Sequence, residues 1–152
     1  MQQFSVSSVI AAPAARVYEI IADYRHGHPE ILPKPPFVSL AVEEGGVGAG
    51  TRMLVHIRMF GRTIAYRAVV SEPEPGRVLV ETNDNGYVTS FTVDPLAGGQ
   101  QARVTFTTVV SRKSGARARL ERWLVERMFR PVYVRELAQL ATVAHEAHDQ
   151  KR

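Results

Sequence analysis

Apolar and polar residues alternate along most of this chain, and the phase of the alternation predicts its elements. Phe4, Val6, Ser8 and Ile10 fall on one side of an extended segment and read as a first strand. Pro13 stands where a helix can start, because its missing N–H is not needed in the first turn. Val17, Ile20, Ile21 and Tyr24 follow at helical spacing, so a short helix is expected from about Pro13 to Asp23. The stretch from Arg25 to Pro36 holds Gly27 and the prolines Pro29, Pro33, Pro35 and Pro36, and reads as a short helical turn followed by a loop over one end of a sheet.

From Phe37 onward strands and turns repeat. The turns are marked by Gly45-Gly46 through Gly50, by Gly61, by Pro73 to Gly76, by Asn83 to Gly86 and by Pro95 to Gly99. Asn85-Gly86 suits a tight hairpin, since both residues tolerate positive φ. The apolar phase reads Met53, Val55, Ile57, Met59; Ile64, Tyr66, Ala68, Val70; Val78, Val80, Thr82; Tyr87, Thr89, Phe91, Val93; and Val104, Phe106, Thr108, Val110. Arg52, His56, Arg58, Arg67, Glu81 and Arg103 take the opposite phase, so one face of the sheet is expected inside and the other wet.

The last element, from about Ala116 to His148, is helical. Leu120, Trp123, Leu124 and Met128 recur at i, i+3, i+4 and i+8, and Leu137, Leu140, Ala141 and Ala144 continue the stripe. Pro131 interrupts it and predicts a kink within one helix, not two helices. A sheet with one apolar face and a long amphipathic helix must bury these surfaces against each other. The expected result is a curved antiparallel sheet wrapped around one helix and enclosing a pocket.

Length and composition keep this to one domain over residues 1–152: the size is that of a single unit, and 45% hydrophobic content is ordinary for a globular core. The first ten residues lack the basic start and apolar run of a signal peptide, and no stretch nears the roughly 20 apolar residues of a spanning helix. With no cysteine, thiolate metal sites, disulfides and cysteine nucleophiles are all excluded, and a cytoplasmic location is expected.

The net charge of +4 is unevenly spread. Residues 112–135 hold Arg112, Lys113, Arg117, Arg119, Arg122, Arg127, Arg130 and Arg135 against Glu121 and Glu126, whereas residues 1–111 are nearly neutral. Such a patch attracts phosphate, but no nucleic-acid fold signature accompanies it and nucleic acid is not an expected partner. Membrane contact is the weaker reading too, because the patch lacks a flanking exposed aromatic cluster. A solvated helix face is the simpler account, and the oligomeric state is left open.

Several pieces together resemble the START/Bet v1-like superfamily, and within it the SRPBCC proteins of the polyketide cyclase/dehydrase-like group. They are Ile10-x-Ala12-Pro13-x-x-x-Val17-Tyr18 with Asp23-Tyr24, the Gly46-Val47-Gly48-Ala49-Gly50-Thr51 turn, the Glu72-Pro73-Glu74-Pro75-Gly76-Arg77 connection, and Tyr133 with Arg135-Glu136-Leu137. The resemblance covers nearly the whole chain. It implies an α+β helix-grip fold: one strand, two short helices, six further strands completing a seven-stranded curved antiparallel sheet, and a long C-terminal helix across its concave face. It also implies a cavity for lipids, sterols, quinones or aromatic polyketides, but no shared reaction.

The expected function is therefore binding of a small hydrophobic molecule, as carrier or sensor. The alternative is a polyketide cyclase or aromatase acting on a poly-keto intermediate in the same cavity. The expected lining is Met53, Val55, Ile57, Tyr66, Tyr87, Phe91, Phe106, Trp123, Leu124, Arg127 and Met128. A cyclase needs a proton donor or acceptor facing the cavity, and the apolar phase offers only Tyr and Thr, with no Asp, Glu or His. Tyr66, Tyr87 and Arg127 are the catalytic candidates, Arg127 because it lies seven residues beyond Leu120 and an arginine binds carboxylate, phosphate or enolate oxygen well.

His26, His28 and Glu30, and His145 and His148 near Glu146 and Asp149, have spacings that invite a metal, yet both sets lie in a loop or terminal turn where exposure is the default. No metal or cofactor is expected. His56 falls on the wet phase, and Gly45, Gly46, Gly48 and Gly50 neither precede a helix nor accompany a P-loop lysine, so they serve a turn and not a nucleotide cradle.

Overall fold

A computed structural model describes the backbone of residues 1–150 and the side chains of residues 1–146. The elements run β1 (Gln2–Ile10), α1 (Ala14–Ala22), α2 (Gly27–Ile31), β2 (Phe37–Glu44), β3 (Arg52–Met59), β4 (Arg62–Glu74), β5 (Val78–Asn83), β6 (Val88–Leu96), β7 (Gln101–Ser111) and α3 (Ala116–Gln150). Strands β2 to β7 form an antiparallel meander, and β1 pairs beside β7, giving the order β1-β7-β6-β5-β4-β3-β2. The curved sheet holds α3 against its inner face, where α3 packs on β1, β7 and the two short helices. Among the described residues no helix is long and apolar enough to cross a membrane.

Two faces differ from the expectation. In β5 the buried residues are Leu79 and Glu81, while Val78, Val80 and Thr82 point the other way. The six residues Val-Leu-Val-Glu-Thr-Asn carry apolar side chains in both phases, so alternation alone did not choose between them. Pairing decides: Leu79 lies opposite Phe91 and Glu81 opposite Thr89, and directly opposed residues share a face. Phe91 and Thr89 point inward, so Glu81 follows them.

In α3 the buried face is Val125, Val132, Tyr133, Glu136, Leu137, Leu140 and Ala144; it includes Leu137, Leu140 and Ala144 of the expected stripe but not its beginning. Leu120, Trp123 and Leu124 are 56%, 49% and 46% exposed. Both sets recur at helical spacing, so periodicity finds two apolar faces and only the sheet selects one. The helix is continuous through Pro131, which lies on the exposed side. The Arg127 carbonyl that loses its donor there can be met by water.

Aromatic rings knit the interior together. Phe91 meets Phe106 edge-on at 4.8 Å, Phe106 meets Tyr133 at 5.7 Å, and Tyr133 stacks on Phe4 at 5.8 Å. This ladder joins β1, β6, β7 and α3 and forms the floor below the cavity.

Candidate functional site

A cavity of about 230 Å³ lies between α3 and strands β3 to β6. Its apolar walls are Met53, Val55, Ile57 and Met59 from β3, Ile64 from β4, Phe91 from β6, Val125, Met128 and Phe129 from α3, and Leu32, Phe37 and Leu40 from the segment leading into and along β2. The alternation of β3 produces its wall directly, since every second residue of Met53–Met59 faces inward. Polar groups also reach the cavity: His28, Tyr66, Glu81, Asn83, Asn85, Tyr87, Thr89, Thr108, Tyr133 and Glu136.

The chemistry centres on His28, Glu81 and Glu136, all buried and drawn from α2, β5 and α3. Gly27 makes the placement of His28 possible. A Cβ there would stand 2.6 Å from the Ile20 carbonyl oxygen, so only glycine lets α2 lie this close to α1. The His28 ring then stacks on Tyr24 at 4.5 Å, and its Nδ1–H donates to the Ile21 carbonyl at 2.7 Å. With Nδ1 committed as donor, Nε2 carries the lone pair of the neutral ring. Nε2 lies 3.8 Å from Glu81 Oε2 and 3.8 Å from Glu136 Oε1.

Burial sets the protonation of this group. Loss of solvent pushes the Glu81 carboxyl from its ordinary 4.5 up to about 7, while the hydrogen bond donated by Tyr24 pulls the other way. Glu136 is raised well above the ordinary carboxylate range, first by burial and then by the charge of Glu81. Burial lowers His28 to about 4. Near neutral pH the pair therefore carries at most one negative charge and the imidazole is neutral. Glu136 is a hydrogen-bond donor, Glu81 sits at the balance between acid and base, and Nε2 of His28 is an acceptor. The cavity thus places a neutral imidazole and two carboxyls of raised pKa side by side in an apolar space.

A second polar line runs beside it. Thr89 Oγ1 and Thr108 Oγ1 are 2.9 Å apart, and Thr108 Oγ1 is 2.8 Å from the Tyr133 hydroxyl, which burial pushes up to about 12. Tyr66 is also raised by burial. Asn83 Oδ1 is buried without a hydrogen-bond partner, which leaves an acceptor free for a molecule in the cavity.

Of the residues expected to line the cavity, Met53, Val55, Ile57, Tyr66, Tyr87, Phe91 and Met128 do line it. Phe106 is fully buried in the aromatic floor and does not reach the space. Trp123, Leu124 and Arg127 are on the outer face of α3, where the Arg127 guanidinium lies over the Trp123 ring at 5.4 Å. The reason is the rotation of the helix: Val125 and Phe129 face the sheet, so Arg127, between them, faces away. Arg127 is thus no cavity residue. The expectation that no acid or histidine faces the cavity fails as well. Glu81 takes the inward phase of β5, His28 is buried in α2, and Glu136 shares the buried face of α3 with Leu140. One signal could have exposed Glu136: it sits at i+4 from Val132 and i+3 from Tyr133, on the apolar row that ends at Leu140.

Among the described residues, no group of three or more His, Asp or Glu is arranged to hold a metal ion. His26 is exposed in a contact with Asp23, and the side chains of His148 and Asp149 lie outside the described residues. The glycines before β3 serve a turn. Glu72 clasps it by accepting from the Ala49 N–H at 2.7 Å and the Tyr18 hydroxyl at 2.5 Å.

A helix gripped by a seven-stranded sheet, with a cavity between them, defines the Bet v1-like class. The chain belongs to the family of polyketide cyclases/dehydrases and lipid-transport proteins, whose sequence profile it matches over residues 1–145. Among solved structures, the KanY protein is similar at 24% identity and a TM-score of 0.76, over 95% of this chain and 99% of that one. The Zhui aromatase/cyclase from Streptomyces sp. R1128 is similar at 18% identity and a TM-score of 0.72, over 95% and 93%. Ara h 8.0201 follows at 15% identity and 0.63, over 92% and 97%. At these identities the likeness establishes the fold. No curated protein matches the chain.

Proposed function

We propose that the protein binds a small hydrophobic molecule in this cavity, as carrier or sensor, and that it orients one oxygen of that molecule with His28, Glu81 and Glu136. The observation that carries this reading is the combination of apolar walls with polar groups left able to bond a guest: the Asn83 acceptor and a carboxyl kept protonated by burial. At about 230 Å³ the space is smaller than the roughly 300–1,000 Å³ of drug-sized sites, which favours a compact quinone or aromatic polyketide-like ring system over a whole sterol. Native mass spectrometry of the purified protein, followed by titration with a naphthol and a naphthoquinone, tests it. Binding that is lost in Ile57→Trp, a substitution that fills the cavity from β3, supports the reading. Equal binding by that variant would remove it.

A second reading, cyclisation or aromatisation of a poly-keto chain, is favoured by one specific observation: the His28 imidazole lies 3.8 Å from each of two buried carboxyls at the cavity. Glu81 as carboxylate would take a proton from the carbon between two carbonyls, and protonated Glu136, keeping its proton, would donate a hydrogen bond to the enolate oxygen as negative charge develops there. The enolate carbon then attacks a second carbonyl of the same chain, and the resulting alkoxide takes the proton back from Glu81. Deuterium exchange into an aryl β-diketone measures the first step. It should be catalysed by the native protein and abolished in Glu81→Gln; exchange that survives this substitution would leave only the binding role.

A further inference from the structure

The outer face of α3 is a second apolar stripe. Leu120, Trp123 and Leu124 stand at i, i+3 and i+4, roughly half exposed, on the side of the helix opposite Val125 and Val132. An apolar row left half in water is a candidate contact surface for a partner.

Charge indicates what kind. Arg112, Lys113, Arg117, Arg119 and Arg127 have no carboxylate partner among the described residues, whereas Arg122 and Arg130 share Glu126. The Arg127 guanidinium lies over the Trp123 ring, placing a cation at the centre of the stripe. A second copy of this chain would bring the same excess of positive charge to the same place, which disfavours self-association. An anionic bilayer supplies both complements at once: phosphates for the arginines and a headgroup boundary for Trp and Leu.

The stripe also borders the cavity. Met128, one turn beyond Leu124 on the same row, lines the cavity wall. Across the cavity, Phe60 is 86% exposed at the turn between β3 and β4, whose neighbours Met59 and Ile64 are lining residues. Phe60 holds φ at +51°, a left-handed conformation that asparagine or glycine would normally occupy in such a hairpin. A bulky aromatic kept there at a conformational cost, and left in water, fits a side chain whose packing partner lies outside the molecule.

We infer that the N-terminal half of α3 and the β3–β4 turn form a docking face for anionic lipid bilayers, placed so that a hydrophobic guest passes between membrane and cavity without crossing water. The reason for setting membrane contact aside, the absence of an exposed aromatic cluster beside the basic patch, no longer holds once Trp123 and Phe60 are seen in solvent.

The full chain is tested by co-sedimentation with vesicles of phosphatidylcholine alone and of phosphatidylcholine mixed with phosphatidylglycerol. Emission of Trp123, the only tryptophan, reports insertion. Binding is expected only to the acidic vesicles, with a blue shift and a steep fall as salt shortens screening to about 8 Å at physiological ionic strength. Arg117→Glu with Arg119→Glu should weaken it by at least about tenfold, and Leu120→Ser with Leu124→Ser should weaken it about as much while abolishing the shift. These side chains are exposed, so circular dichroism and naphthol affinity should stay native, which separates failure of docking from failure of cavity binding. Equal binding to neutral vesicles, binding without a blue shift, insensitivity to the leucine pair, nucleic-acid binding that shields Trp123, or a dimer that shields it would each overturn the assignment.

Discussion

The hydroxyl of Tyr24, just beyond α1, donates to Oε2 of Glu81 on β5 across 2.6 Å. The bond ties the turn leading into α2, which carries His28, to the one strand whose inward phase holds a carboxylate. Because it stabilises the ionised form of a buried acid, it opposes the desolvation that raises Glu81. The acid is thereby held within reach of neutrality and not locked in its protonated form.

Glu81→Gln should change the pH dependence of stability. The native state binds the Glu81 proton more tightly than the unfolded chain, so its stabilising contribution is complete below about pH 4.5 and lost as pH rises to about 7. The loss amounts to roughly 3 kcal/mol, taking 1.36 kcal/mol per pKa unit. His28, lowered to about 4, acts in the opposite sense: its contribution is present above 6.5 and lost as pH falls toward 4. Urea unfolding should show Glu81→Gln more stable than the native protein at about pH 8, with a shallower loss of stability as pH rises from about 4.5 to 7, while Glu136, itself raised by burial, keeps its own loss at higher pH. Equal stability of the two proteins at about pH 8 would show that Glu81 is not desolvated.

Tyr24→Phe removes the hydrogen bond and keeps the ring that stacks on His28. The Glu81 midpoint should move upward, because the interaction that lowers it is gone. Carbon-detected NMR of the Glu81 carboxyl as a function of pH measures this directly, and a downward shift would refute the assignment.

The rotation of α3 predicts unequal costs for two leucines on one helix. Leu140→Ala, at a fully buried position, should cost about 2–5 kcal/mol, and Leu124→Ala well under about 1 kcal/mol. Thermal unfolding of the two variants decides. Comparable losses would mean that the helix faces the sheet through the Leu120 stripe after all.

Gly27→Ala should lower stability by about 1–3 kcal/mol, since the new methyl group meets backbone and not a flexible side chain. More telling is its effect on the site: α2 must shift away from α1, breaking the 2.7 Å bond from His28 to Ile21. The imidazole Nδ1 resonance should lose its hydrogen-bonded shift in NMR, whereas an unchanged resonance would show that Gly27 does not position His28.

The alternation in β3, β4, β6 and β7, the helical spacing after Pro13 and the turn glycines were enough to reach the seven-stranded sheet and its helices. Each of these signals is local: a strand with one apolar phase has only one way to face a core. The cavity walls on β3 followed for the same reason. Where two phases or two faces were both apolar, in Val78–Asn83 and along Leu120–Leu140, the sequence offered two equal choices. Pairing with β6 and contact with the sheet made the selection, and these are long-range events whose free energy no local window contains. The same two selections bring Glu81 and Glu136 to His28, from positions 81, 136 and 28 of the chain. Whether a carboxyl is an exposed charge or a buried acid depends on the solvent it loses, and tertiary packing alone determines that.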